Sequence, residues 1–224
     1  ARDRPRAGGL VTDPTAPPDP DPADADDPAG GLGPDDPGVA EVAPSPADSF
    51  AAVAAFDAAV DGAFDHLRGN PVADRVMYGA SALGDFSLIW ALLGAAKSLR
   101  SERDEQAFLR LVVCLGAESL LVNQGIKRLF RRTRPEPEGE RPHHLRTPLT
   151  TSFPSGHASS GAFAAILLSD GSKVPIAWWA VALVVASSRI HVRIHHASDI
   201  VAGAALGTVL GLVARRLWRL PPRT

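Results

Sequence analysis

Five apolar runs joined by short polar stretches constrain this chain more than any other feature. They cover residues 76–96, 107–126, 157–168, 174–190 and 199–214 of a 224-residue chain. The first two have about the ~20 residues an α-helix needs to cross a bilayer. Runs 174–190 and 199–214 are slightly shorter but strongly apolar. Run 157–168 is too short to cross unaided, unless the turn before it already lies within the protein. Four near-continuous apolar runs are hard to hide in a domain this small. The pattern predicts an all-α fold: an integral-membrane helical bundle of about five membrane helices. The alternative is a soluble helical protein with unusually apolar core helices.

Three charges interrupt the first two runs: Asp85, Arg110 and Glu118. A charge at mid-bilayer costs ~3 kcal/mol. Asp85 and Glu118 are therefore expected to face the bundle interior or water, either holding an active-site arginine or packing helices. Arg110, near a run's end, is expected to snorkel. Gly203, Gly207 and Gly211 recur every four residues and give the last helix a smooth strip for close packing inside the bundle.

Ahead of the runs the composition changes. Residues 1–46 alternate Pro, Asp, Gly and Ala, with too little apolar area to offset chain entropy, and read as a disordered tail. Residues 47–75 read as an amphipathic helix and linker. Phe50, Val53, Phe56, Val60, Phe64 and Leu67 form an apolar stripe beside an acidic one of Asp57, Asp61 and Asp65. The acids argue against a span, so this helix is expected to lie at the membrane surface or pack on the bundle. Residues 76–218 form the membrane domain, and 219–224 a short tail. A net charge of −2 gives no electrostatic ground for a nucleic-acid partner. Cys114, the only cysteine, forms no intrachain disulfide and reads as a packed small hydrophobe.

Three polar blocks lie at the ends of the runs: Lys127-x6-Arg134-Pro135, Pro154-Ser155-Gly156-His157, and Ser188-Arg189-x5-His195-x3-Asp199. Together they hold what phosphate transfer needs: cations, an acid, and a nucleophile with its orienting carboxylate. If the helix continues, Lys127 and Arg134 lie two turns apart on nearly the same face, where both reach one anion, with Asn123 a turn earlier to orient Lys127. Pro135 then ends the element. The plainer reading is a basic juxtamembrane cluster with Arg128, Arg131 and Arg132. The second block opens a helix whose free N–H groups suit phosphate oxygens; Ser155 caps it or donates, Gly156 lets the backbone approach, and His157 stands ready to protonate a leaving oxygen. The plainer reading is an ordinary cap followed by a surface histidine. In the third block, Asp199 is one helical turn from His195 and can accept from one imidazole nitrogen, freeing the other to attack phosphorus. Arg189 can bind the same phosphate. A metal site is the alternative, since His191 and His195 are also four apart, with His143, His144 and His196 as further candidates.

On these three blocks the chain resembles the type 2 phosphatidic acid phosphatase superfamily, which also includes bacterial acid phosphatases and vanadium haloperoxidases. The resemblance spans roughly residues 76–218, and its K-x6-RP, PSGH and SR-x5-H-x3-D signature occurs here without departure. It implies that Lys127, Arg134 and Arg189 bind phosphate with backbone help from Ser155 and Gly156. It implies that His195 is the nucleophile forming a phosphohistidine, that Asp199 is its partner and that His157 is the general acid. It implies no metal and no cofactor for hydrolysis. The loop 135–153, with Glu136, Glu138, Glu140, His143 and His144, lies outside the signature and is expected to shape substrate entry.

The function expected is a metal-independent phosphatase acting on a lipid phosphate or diphosphate in a bacterial cell membrane. Its partners are then the lipid phosphate substrate and membrane lipids. Candidate substrates are polyprenyl diphosphates, phosphatidylglycerol phosphate, phosphatidic acid and prenyl-phosphoribose phosphates. The alternatives are a vanadate-dependent haloperoxidase and a non-catalytic membrane anion-binding protein. Lys97, Arg100, Arg103, Lys173, Arg215, Arg216, Arg219 and Arg223 gather on the side away from the blocks, which favours a cytoplasmic C-terminus and an extracytoplasmic site. Nothing in the sequence sets an oligomeric state.

Overall fold

The computed structural model describes residues 46–136, 141–148 and 150–222. The expected disordered tail, apart from its last residue, and Glu138, Glu140 and Arg223 lie outside the described residues. Seven α-helices and no strand occur among the described residues, so the fold is all-α as expected. They are α1 (Pro46–Asp65), α2 (Pro71–Gly84), α3 (Leu88–Ser98), α4 (Glu102–Leu120), α5 (Gly156–Ser169), α6 (Pro175–His191) and α7 (Ala197–Leu217).

Local chemistry sets the boundaries. Asn70 caps α2 by accepting from the amides of Val72 and Ala73 at 3.0 and 3.2 Å, with Pro71 in the first turn. Ser101 caps α4 through the amide of Asp104. The run 76–96, expected as one helix, is two. Asp85–Ser87 forms a 3₁₀ turn in which Phe86 and Ser87 take positive φ of 53° and 59°. Such conformations cost a non-glycine residue about 1–2 kcal/mol each. The break carries Asp85 inward to His157, which an unbroken apolar run does not announce. The α4 run likewise ends in a five-residue π turn, Leu121–Gly125, and then a 3₁₀ turn, Ile126–Leu129.

Helix α5 is the hub. Almost every residue from Ala158 to Leu168 is buried, against Trp90 of α3, Leu111 and Leu115 of α4 and Val185 of α6. Pro154 and Ser155 before it are also buried. The short run 157–168 therefore starts from a turn already inside the protein, which is the condition set for it above. Helix α7 presses its glycine strip onto α5, as expected: a Cβ on Gly203 would come 2.4 Å from the Ser155 carbonyl oxygen, and one on Gly207 2.0 Å from that of Ser159.

Two segments among the described residues are long and apolar enough to cross a membrane, Pro71–Ser98 and Ala197–Leu217. The count of five rests on less: α5 and α6, with 14 and 17 residues, fall short of the ~20 usually needed.

Other expectations need correction. Arg110 does not snorkel. It is fully buried, donates to the carbonyls of Leu167 (3.2 Å) and Trp218 (3.0 Å), and pairs with Asp170 at 2.9 Å. A planar fork with several donors is better satisfied by those inward acceptors than by reaching for the surface. Glu118 does face inward, accepting from Ser159. In α1 the face turned to the bundle is mixed, with Val60 and Phe64 half-buried and Phe64 edge-on to His191. Asp57 is buried and faces α7, while Phe50 and Phe56 are 77% and 45% exposed. Arg132 pairs with the buried Asp57, while Arg68 and Arg193 pair with the more exposed Asp61 and Asp65.

Candidate active site

The three blocks meet at one end of α5 and α7. The first arrives without a shared helix face. Lys127 sits on the 3₁₀ turn after α4, and the chain is already irregular from Phe130, five residues before Pro135. Arg134 is thus brought in by extended chain, correcting the helical reading. Its Nη1 donates to the Ile194 carbonyl at 3.0 Å and its Nη2 to the Thr150 carbonyl at 2.9 Å. Lys127 is buried beside Gly156: a Cβ there would lie 3.8 Å from Nζ and 3.2 Å from Asn123 Oδ1. The Asn123 amide nitrogen donates to the Ser119 carbonyl and hydroxyl at 3.0 and 3.1 Å, while its Oδ1 lies on the same side of Gly156 as Lys127 Nζ.

Ser155 caps α5, accepting from the Ala158 amide at 3.4 Å, and its own N–H donates to the Asp199 carbonyl at 3.0 Å. That bond fixes the start of α5 against the start of α7. The third block folds back because the amides of Ile194 and His195 both donate to the Arg189 carbonyl, at 3.0 and 3.2 Å, with Arg193 in a positive-φ conformation (51°). Arg189 is fully buried. It donates to Ser81 Oγ, and its Nε and Nη2 have no hydrogen-bond partner among the described residues.

His195 is almost fully buried. Its Nε2 lies 3.3 Å from Arg134 Nη1, and its Nδ1 lies 3.5 Å from Ser152 Oγ and 3.6 Å from Asp199 Oδ2. The Ser152 hydroxyl, bonded to Asp199, therefore stands beside the imidazole–carboxylate pair. Helical spacing does not place Asp199, because His195 precedes α7. A capping box does: Asp199 Oδ2 accepts from the His196 amide at 2.9 Å. The other oxygen, Oδ1, takes Arg132 Nη1 at 2.6 Å.

His157 Nε2 lies 3.1 Å from the Ser81 carbonyl and 3.3 Å from Asp85 Oδ1. Ser81 thereby touches both His157, through its carbonyl, and Arg189, through its hydroxyl. Asp85 sits against the histidine rather than holding an arginine by a hydrogen bond. A Cβ on Gly84 would strike the ring, 2.4 Å from Cδ2. All eight residues singled out from the sequence thus lie in one connected cluster. His191 goes elsewhere: its Nε2 is 2.7 Å from Asp74, which separates it from His195 as a metal partner.

Burial and neighbouring charge tune these groups. Burial pushes the His195 imidazole down to about 3, aided by Arg189, Arg134 and Lys127 and opposed by its contact with Asp199. The ring is neutral at ordinary pH, the form able to act as nucleophile. Burial, then Arg134 and Arg189, lower Lys127 to about 8. Arg134 is also lowered by burial, with Asp199 opposing. Three cations crowded about one buried point repel each other, and an anion there relieves all three.

Sequence reasoning missed Arg132, Ser152, Ser81 and Asp57. Arg132 bridges Asp199 to Asp57, with Nη2 2.6 Å from Asp57 Oδ2. Asp57 also accepts from the amide and hydroxyl of Ser198, at 2.7 and 2.8 Å. Arg132 was concealed among Arg128 and Arg131, and nothing in the sequence distinguishes it. Ser152 lies two residues before the second block, the only hint it offers.

The chain is similar to known proteins in sequence and in fold. A decaprenylphosphoryl-5-phosphoribose phosphatase of Mycolicibacterium smegmatis is 36% identical over 146 residues, covering 61% of this chain and 74% of that protein. The crystal structure of a transmembrane PAP2-type phosphatidylglycerolphosphate phosphatase from Bacillus subtilis matches with a TM-score of 0.58 and 25% identity, over 74% of this chain and 86% of the other. That of Aquifex aeolicus LpxE matches in fold, with a TM-score of 0.53 and 23% identity over 69% of this chain and 93% of the other. Residues 107–221, which carry all three blocks, match the family described as the PAP2 superfamily, and this chain belongs to it.

Proposed function

We propose that this PAP2-superfamily phosphatase hydrolyses a lipid phosphate or diphosphate through a phosphohistidine on His195, without metal. One observation carries the reading: the buried His195 imidazole presents Nε2 to Arg134 while Nδ1 faces Ser152 and Asp199. Nε2 attacks phosphorus as the bond to the lipid oxygen breaks, and His157 gives that oxygen a proton. Water then attacks the phosphohistidine with His157 taking its proton, and phosphate leaves as the P–N bond breaks. Lys127, Arg134, Arg189 and the amides at the start of α5 hold the phosphoryl oxygens throughout.

The lipid character is supported by the perimeter. Leu92, Val113, Leu183, Val201 and Val209 stand exposed on α3, α4, α6 and α7, where an aqueous surface would be polar. We place the chain in the bacterial cell membrane with the site on the extracytoplasmic side. Lys97 contributes less to that assignment than its position suggests, because it is buried in a 2.9 Å pair with Asp104. Among lipid phosphates, the Mycolicibacterium relative favours a polyprenyl-linked sugar phosphate.

The test is phosphate release from lipid phosphates by detergent-solubilised protein. Release is expected to be vanadate-sensitive and to persist in EDTA; complete loss in EDTA overturns the metal-free route. Acid-labile, base-stable labelling from substrate is expected to vanish in His195→Ala and survive in His157→Ala.

A further inference from the structure

We propose that Asp85, outside the three blocks, is a positioning residue for His157: its carboxylate holds Nε2 of the ring, so that Nδ1 is the atom that protonates the lipid oxygen. The inference rests on the reading of His157 as the general acid and deepens it. A short stretch around the end of α2 builds a seat for the ring. The Ser81 carbonyl lies 3.1 Å from Nε2, and Asp85 Oδ1 lies 3.3 Å from the same atom. Gly84 leaves the room between them: a Cβ there would lie 2.4 Å from Cδ2 and 3.0 Å from Nε2. Spacings of three and four residues from Ser81 put Gly84 and Asp85 on its side of the chain, so all three meet one ring.

Both oxygens at Nε2 are acceptors, so Nε2 carries a hydrogen when it serves them. In the protonated ring the other hydrogen is on Nδ1, and that one is free to leave. As the P–O bond breaks, its electron pair passes to the lipid oxygen, which takes the Nδ1 proton. The ring becomes the neutral tautomer that Ser81 and Asp85 already hold. In the second step Nδ1 takes a proton from the attacking water, and the ring returns to its first state. A carboxylate at Nε2 stabilises that imidazolium as the orienting acid of a triad does. His195 with Asp199 and His157 with Asp85 are then two imidazole–carboxylate pairs with opposite duties. One leaves a nitrogen bare for attack, and the other keeps a proton ready to give.

The backbone supplies an independent observation. Phe86 and Ser87, next to Asp85, both take positive φ, which residues with a side chain rarely do. Asp85 itself is extended, with ψ of 135°, and its amide closes α2 on the Ala82 carbonyl. The costly turn thus sits where the chain delivers a carboxylate to the acid. The core does not account for it: Phe86 is 85% exposed, with the Arg146 guanidinium 4.5 Å from its ring centroid. Arg146 and, from α6, Arg189 are the other charges felt at Asp85, and Arg189 is felt at His157 too. A role as counter-charge to Arg189 is therefore the competing account. The two separate in kinetics, because holding a phosphate ligand acts on saturation and holding the acid acts on the maximal rate.

The test is a double-mutant cycle read from single-turnover consumption of phosphatidic acid by detergent-solubilised protein, per folded molecule. Asp85→Asn is expected to lower the maximal rate roughly 10- to 100-fold and to leave half-saturation within about twofold. In a His157→Ala background the same change is expected to cost nothing further, because its partner is gone. Farnesyl diphosphate supplies a second readout. Its leaving group is a phosphate, a far weaker base than an alkoxide, and needs little protonation. Both single variants are therefore expected to lose about tenfold less on the diphosphate than on phosphatidic acid. Losses that multiply in the double variant, a change in half-saturation alone, or a His157→Ala selectivity that Asp85→Asn does not share overturns the role of Asp85. Equal losses on both lipids in His157→Ala refute the acid reading on which it rests. The cycle stands on either lipid alone, and consumption of neither refutes the phosphatase reading and this inference with it.

Discussion

At the scale of single residues, the site is a set of charges that are individually uncomfortable. Lys127 shows this most clearly, lowered to about 8 by burial and by two arginines. As pH rises through about 8 in the free enzyme, Lys127 loses its proton and the cradle loses a charge. The kcat/KM profile is therefore expected to fall on that limb. A bound phosphate dianion favours the charged lysine, so the matching limb in kcat lies at higher pH. Lys127→Arg is expected to remove the limb from kcat/KM below pH 10, whatever it does to the absolute rate. Arg132 makes a second case. It holds the Asp199 oxygen that Ser152 and His196 leave free, at 2.6 Å. Losing a charge-assisted bond to a buried carboxylate costs about 1.5–3 kcal/mol. If Asp199 must stay ionised and oriented in the transition state, Arg132→Gln lowers kcat roughly 10- to 100-fold with little change in KM, and Arg132→Lys restores part of it. A purely structural role for Arg132 would instead lower the yield of folded protein and leave kcat per folded molecule unchanged. Arg132 also marks the limit of sequence reading. Lys127, Arg134, His157, Arg189, His195 and Asp199 were legible because their spacings form a signature. Arg132, Ser152 and Ser81 were not, because each is defined by a partner 47 to 108 positions away.

At the scale of elements, the closest contact is between α5 and α7, and it is made of backbone. The strip of Gly203, Gly207 and Gly211 was legible as a packing face, since four-residue spacing puts all three on one side of a helix. Its partner was not, because spacing does not say which helix comes close. The structure supplies α5, and with it a graded prediction. Gly207→Ala would set a Cβ 2.0 Å from the Ser159 carbonyl oxygen, where only movement of a whole helix makes room. Overpacking of that kind costs about 1–3 kcal/mol. Because the same contact fixes the start of α5 to Asp199, activity should fall along with the melting temperature. Gly116→Ala in α4 is the control. A Cβ there meets nothing within 4 Å, so the substitution should stabilise by about 0.5–1 kcal/mol through helix propensity. Thermal melting in detergent of the two variants checks both signs. The break at Asp85–Ser87 belongs to the same scale. An apolar run reads alike whether or not it is cut, and the residue at the cut, Asp85, meets His157, 72 positions beyond it.

At the scale of the whole molecule, the chemistry is held from two directions. The far end of the bundle is tied by Arg110, which joins α4 to Asp170 just after α5 and to the Trp218 carbonyl at the end of α7. The site end is tied by α1, whose Asp57, Asp61 and Asp65 grip Arg132, Arg68 and Arg193. Two stripes were visible in that helix from its periodicity, but periodicity cannot say which stripe docks. The answer depended in large part on Arg132 and Arg193, 75 and 128 positions from the acids they meet. The arrangement makes α1 a clamp on the turn bearing His195 and on the start of α7. A clamp made of ion pairs can be opened without disturbing the apolar core. The triple change Asp57→Asn, Asp61→Asn and Asp65→Asn is therefore expected to lower kcat and to make α1 sensitive to limited proteolysis, with any fall in melting temperature coming mainly from the buried Asp57. Exposed ion pairs contribute only ~0–1 kcal/mol each, so Asp57, the buried member, should dominate. Asp57→Asn alone should reproduce most of the loss in kcat, and Asp61→Asn with Asp65→Asn little of it. Equal losses from both would mean that α1 acts by covering the site, not by holding Arg132 against Asp199.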